Sequence, residues 1–110
     1  MGAVLSLNQP SYRDEHLFVD SRRQLVKLCG QTLTLTRKEY CLLALLVKHA
    51  GEVVPRTIMV MELRRSLPET PKRALDVHIG WLRRRLGTYA DQYLETVDGV
   101  GYRFRPATRA

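Results

Sequence analysis

At 110 residues the chain can bury one modest core, and the usual size of a domain leaves no room for a second. Hydrophobic residues make up 45% of it and charged residues 26%, a balance that excludes a disordered polypeptide. Lysine and arginine outnumber aspartate and glutamate by 18 to 11, a net charge of +7, which favours a polyanionic partner, either nucleic acid or an anionic membrane surface.

Residues 1–14 carry Gly2, Asn8, Pro10 and Ser11, with little pattern beyond Val4, Leu5 and Leu7. They read as a linker with one short strand, ahead of a folded domain over 15–110. The start lacks the basic and long apolar regions of a secretory signal, and no apolar run approaches the roughly 18 residues that span a bilayer. A cytoplasmic chain without membrane contact is expected. Three short runs follow: Leu17 to Asp20, Gln24 to Leu28 and Thr32 to Leu35. The second and third alternate apolar and polar residues with the period of a strand. They predict an antiparallel meander in which Gly30 supplies the positive φ of a tight hairpin. Cys29 and Cys41 have neither CxxC spacing nor a histidine close in sequence, so they read as reduced thiols.

Thr36-Arg-Lys-Glu39 is a capping box that opens a helix. Tyr40, Leu43, Leu46, Val47 and Ala50 follow at helical spacing, and Gly51 stands where a C-cap glycine belongs. After an extended Val53-Val54, Pro55 suits the first turn of a second helix with Ile58, Met59, Val60, Met61 and Leu63 as its apolar body. Two prolines mark the stretch from Arg64 to Pro71 as a loop. A third helix, roughly Pro71 to Leu86, gathers Leu75, Ile79, Leu82 and Leu86 on one side at about 100° per residue. Its far side presents Arg73, Val77, Gly80, Trp81 and Arg84. Between Lys72 and Arg85 five basic residues, Lys72, Arg73, Arg83, Arg84 and Arg85, face the single acid Asp76. A helix fits the major groove of B-DNA, where arginine and lysine meet phosphates or guanine and an outward Val77 or Trp81 can touch a thymine methyl. Tyr93 to Val97 and Tyr102 to Arg105 alternate around a glycine-containing turn, which predicts a closing hairpin.

The segments Leu35-Thr36 with Glu39 and Leu42-Leu43, Gly51 to Val54 with Arg56, Leu75-Asp-Val-His-Ile79 with Leu82-Arg83 and Leu86, and Thr96-Val97 with Gly99-Val-Gly101-Tyr-Arg-Phe104 together resemble the OmpR/PhoB-type winged-helix DNA-binding domain. The resemblance covers about two thirds of the chain. It implies an α+β winged helix-turn-helix fold: an N-terminal antiparallel four-stranded sheet, three helices and a C-terminal β-hairpin wing. It also implies the output domain of a two-component-type response regulator that binds double-stranded DNA, with the loop 64–71 touching RNA polymerase and two copies pairing on DNA repeats. By position in that family, Arg73, His78, Arg83 and Thr96 fall where phosphate is contacted, and Ala74, Asp76, Val77 and Trp81 where base edges are met; Lys72 and Arg84 join them as DNA-binding residues through the basic run of the third helix. The chain departs from the family at Gly80 and Trp81, where many relatives carry basic residues, and at Asp98, where some carry a wing arginine.

Two roles stay open for His78, a half-buried structural histidine or a phosphate donor, and two for Trp81, packing on the wing or facing DNA. No nucleophile is paired with a base, and His16, His49 and His78 lack metal-ligand spacing. Neither an enzyme nor a bound cofactor or metal is expected. The competing reading is a winged-helix module used chiefly for protein contacts.

Overall fold

The structure, a computed structural model, describes residues 11–107. The predicted Val4, Leu5 and Leu7 pattern lies outside them. Strands β1 (Ser11–Arg13), β2 (Leu17–Asp20), β3 (Leu25–Leu28) and β4 (Gln31–Thr32) form a four-stranded antiparallel meander. The sheet therefore includes Ser11 to Arg13, ahead of residue 15. Leu17, Val19 and Val26 bury against the helices, as the period-two pattern requires. Leu28 and Gln31 are paired across a two-residue turn in which Cys29 has φ 52° and Gly30 φ 81°, the doubly left-handed backbone of a tight hairpin. The sheet also carries Cys29 next to a histidine that is distant in sequence, with Sγ 4.0 Å from His16 Nδ1.

The expected strand through Leu35 stops at Thr32. Leu33 still donates to the Val26 carbonyl, after which the chain turns to cap helix α1 (Arg37–Lys48). Both halves of the capping box are present: Glu39 N–H donates to Thr36 Oγ1 at 3.2 Å, and Thr36 N–H to Glu39 Oε1 at 3.1 Å. Helix α1 buries Leu42, Leu43, Leu45, Leu46 and Val47.

Helix α2 (Arg56–Ser66) begins directly after β5 (Val53–Pro55). Of its five expected core residues only Met59 and Leu63 are buried; Ile58 and Met61 are exposed. An almost unbroken apolar run carries no period from which to choose a face. Helix α3 (Ala74–Leu86) begins three residues later than expected, leaving Lys72 and Arg73 in the preceding turn. Its stripe of Leu75, Ile79, Leu82 and Leu86 is buried as predicted. A one-turn 3₁₀ segment, Gly87–Tyr89, and the short helix α4 (Ala90–Tyr93) then bury Ala90 and Tyr93. Neither was foreseen, because two core contacts are too few to show a helical period.

Strands β6 (Leu94–Val97) and β7 (Gly101–Phe104) form the hairpin, and β5 adds to it in the order β5-β7-β6. Among the described residues no helix is long and apolar enough to cross a membrane.

One polar cluster fastens the N-terminal sheet to the C-terminal half. The Asp14 carboxylate accepts from the hydroxyls of Tyr12 and fully buried Tyr93 and from the amides of His16 and Leu17. Burial pushes the Asp14 carboxyl up, but the four hydrogen bonds outweigh it and hold the pKa below the ordinary value. A carboxyl depressed in the folded state stabilises above its unfolded pKa, and that contribution is lost as pH falls from about 4 through the lower folded value. In a pH series of thermal unfolding, Asp14→Asn is expected to flatten the acid limb below about pH 4. An unchanged limb would contradict this role.

Candidate nucleic-acid interface

Helix α3 lies on the core through one stripe and turns its opposite face outward. On that face Val77 is 49% exposed and Trp81 43%, and Asp76 and Arg84 are exposed with them. Lys72 and Arg73 lie exposed in the turn leading into the helix, and Ala74, its first residue, is half-buried. Among the described residues, Lys72, Arg73 and Arg84 make no ion pair, so their charge faces solvent uncompensated.

The other site residues are engaged with the protein itself. Arg56, the first residue of α2, forms a bidentate pair with Asp76 at 2.7 and 2.9 Å, and the Tyr102 hydroxyl of β7 donates to the same carboxylate. Arg56, then Tyr102, hold the Asp76 carboxyl below the usual carboxylate range against a smaller desolvation cost. Asp76 thereby ties the outer helix to both α2 and the hairpin, and its acceptor capacity is largely used. Arg83 bridges in the same way, donating to Thr96 Oγ1 at 2.9 Å and to Asp91 Oδ1 at 3.3 Å. The structure thus brings together Arg83 and Thr96, which sequence had named separately. It adds Arg56 and Tyr102, whose link to Asp76 spans 20 and 26 residues and leaves no local spacing to read.

His78 is half-buried, its Nδ1 enclosed without a hydrogen-bond partner. Its ring meets Trp81 edge-on at 5.1 Å, so the aromatic neighbour of Trp81 is on its own helix. Burial, then the charge of Lys38, push the imidazole pKa down, leaving it neutral at pH 7. Arg85 reaches away from the outer face to the fully buried Glu39, Nε to Oε1 at 3.3 Å. The loop before α3 is closed by Arg64 Nε donating to the Thr70 carbonyl at 2.8 Å and by Thr70 Oγ1 donating to the Leu67 carbonyl at 2.7 Å. The hairpin tip, Asp98-Gly99-Val100, is exposed and carries no cation.

Residues 30–104 match the family of C-terminal regions of transcriptional regulatory proteins. The chain is 37% identical over 90 residues to the transcriptional regulatory protein QseB of Escherichia coli O157:H7, covering 82% of this chain and 40% of that protein. It is 37% identical over 95 residues to the transcriptional regulatory protein CpxR of Escherichia coli K12, covering 84% and 41%. The chain thus spans about two fifths of the length of the curated relatives it matches. Among solved structures, it superposes on the DNA-binding domain of CpxR from Escherichia coli with a TM-score of 0.74 at 36% identity, covering 90% of this chain and 99% of that one. With the DNA-binding domain of RstA from Klebsiella pneumoniae, solved in complex with the RstA box, the TM-score is 0.75 at 27% identity, covering 88% and 98%.

Proposed function

Because the chain belongs to the OmpR/PhoB-type winged-helix family, the C-terminal domain of transcriptional regulatory proteins, we propose that it binds double-stranded DNA sequence-specifically as the output module of a bacterial regulator. The observation that carries this is the outer face of α3. Lys72, Arg73 and Arg84 leave their charge unpaired there, around the exposed Val77 and Trp81. Cations without internal partners suit phosphates, and a helix of this width enters the major groove. Asp76 and Arg83 act as braces: the Arg56–Asp76–Tyr102 cluster and the Arg83–Thr96 bond fix the angle between α3, α2 and the hairpin. With Asp98 at its tip the wing adds no positive charge to the minor groove, so α3 carries the affinity.

Two copies on a DNA repeat, contact of the loop 64–71 with RNA polymerase, and action in the cytoplasm complete the proposal. The polymerase contact is supported by Met61, 65% exposed beside Arg64. That exposed residue also favours the competing reading, docking of a protein alone, and salt separates the two. Three phosphates neutralised by Lys72, Arg73 and Arg84 predict a log–log slope of DNA affinity on salt of about −2.7 or steeper per module. Fluorescence anisotropy over a salt series reads it directly. A flat dependence would remove the electrostatic basis of the proposal.

A further inference from the structure

A hollow of about 480 Å³ opens between helix α1, helix α2 and the segment from Gln24 to Leu35, with no residue of α3 in its lining. Its size lies within the range of about 300 to 1,000 Å³ that small-molecule sites occupy. The floor is apolar: Val26 is buried, and Leu33, Leu35 and Ala44 are half-buried around it. Burial pushes the pKa of the Tyr40 hydroxyl and of the Cys41 thiol up, as a poorly hydrated wall requires. Of the lining residues, Ile58 is the one large apolar side chain that is exposed, at 42%. A helix or strand of another protein needs a row of such anchors. Apolar surface recessed in a hollow suits a small ligand that inserts.

One end of the hollow is cationic. Arg37, the first residue of α1, makes no ion pair among the described residues and stands at the positive end of the helix dipole. One turn further along, the Tyr40 hydroxyl is closed off from solvent without a hydrogen-bond partner. The neighbouring acids are already engaged, Asp20 with Arg23 at 2.8 Å and Glu62 with Arg65 at 3.8 Å. We infer that the hollow binds a small amphiphilic anion, an aliphatic carboxylate whose chain lies along Ala44 and whose head meets Arg37 and the Tyr40 hydroxyl. The carboxylate gives the guanidinium a bidentate acceptor and the hydroxyl the acceptor it lacks, while the chain leaves water for the apolar floor. Lys48 lies on the same side of α1 eleven residues on, about 16 Å away along the axis, too far to share that head. The site is separate from the outer face of α3 and stands or falls independently of the proposed DNA binding.

The test titrates the whole 110-residue chain with decanoate below its micelle concentration and follows the backbone amide chemical shifts. Decyltrimethylammonium, of the same chain length and opposite charge, is run in parallel. Decanoate is expected to bind at least about tenfold more tightly, the effect of one charge-assisted contact, and to shift the amides of α1, α2 and residues 33–35 while leaving those of the outer face of α3 in place. Arg37→Gln should weaken decanoate binding about tenfold and Tyr40→Phe about threefold. Lys48→Gln should change it by less than about twofold, because an exposed charge at that distance is screened. Ala44→Leu fills the hollow with a residue that also favours a helix; it should abolish binding without lowering the midpoint of thermal unfolding. Equal affinity for the two amphiphiles, shifts spread over the whole surface, or decanoate binding that is undiminished in both Arg37→Gln and Ala44→Leu would each overturn the assignment, as would no binding at millimolar decanoate.

Discussion

Gly101→Ala is expected to destabilise the chain by about 3 kcal/mol, at the upper end of ordinary overpacking, and to lower its thermal midpoint by more than about 10 °C. Strand β7 is the middle strand of its sheet, with Gly101 opposite Pro55 on one side and Val97 on the other. A Cβ at Gly101 would stand 2.0 Å from the Val54 carbonyl oxygen and 3.0 Å from two further backbone atoms. The obstacle is backbone held in a ladder, and the Val54 side chain is buried, so nothing near the site swings away cheaply. Relief requires β5 to separate from β7, which also loosens the entry into α2, where Arg56 N–H donates to the Val100 carbonyl at 2.9 Å. Gly99→Ala serves as the control. It is in open space at φ 77°, so only the left-handed backbone cost of about 1 kcal/mol applies. Thermal unfolding followed by circular dichroism compares the two, and a Gly101→Ala midpoint within the Gly99→Ala range would contradict the close approach of β5.

Replacing Arg73 and Arg84 together by alanine is expected to weaken binding to every duplex by about a hundredfold at moderate salt, about tenfold for each charge-assisted contact. Both side chains are exposed and, among the described residues, outside any ion pair, so the fold should be unaffected and the unfolding midpoint unchanged. The salt slope should shrink by about 1.8, the share of two phosphates. Arg83→Ala is predicted to behave differently, because Arg83 is bonded to Thr96 and Asp91; its loss leaves the Tyr102–Asp76 bond as the remaining side-chain tie described between the hairpin and α3 and lowers stability and affinity together. A double variant that binds within about threefold of the native chain, well inside the expected loss, would place the phosphate contacts elsewhere.

How far these features could be read from the sequence depended on whether their physical cause is local. The Thr36–Glu39 capping box needs four consecutive residues, and the stripe from Leu75 to Leu86 repeats within one helix; both appear in the structure as read. Cys29-Gly30 likewise announced its turn. The start of α3 was misplaced because Pro71 suits a first helical turn, whereas the loop before it is held by the Arg64–Thr70 bond and the helix begins only at Ala74. Ile58 and Met61 were assigned to the core because hydrophobicity marks them, while the face of α2 is decided by tertiary packing. For the interface, the basic outer side of α3 was legible from composition and period alone. The separation of its residues into braces and free cations was not. The family resemblance places Asp76 among base-facing positions as an expectation, but Arg56 and Tyr102, far along the chain, occupy its carboxylate. That assignment exists only after folding.

The most direct measurement is selection of the chain on a pool of random duplex DNA at moderate salt, with the Arg73→Ala/Arg84→Ala variant run in parallel. Sequence-specific binding through α3 predicts an enriched motif, repeated at about one helical turn, that the variant fails to recover. A well-folded native chain that enriches no sequence, or a variant that recovers the same motif equally well, would contradict the account.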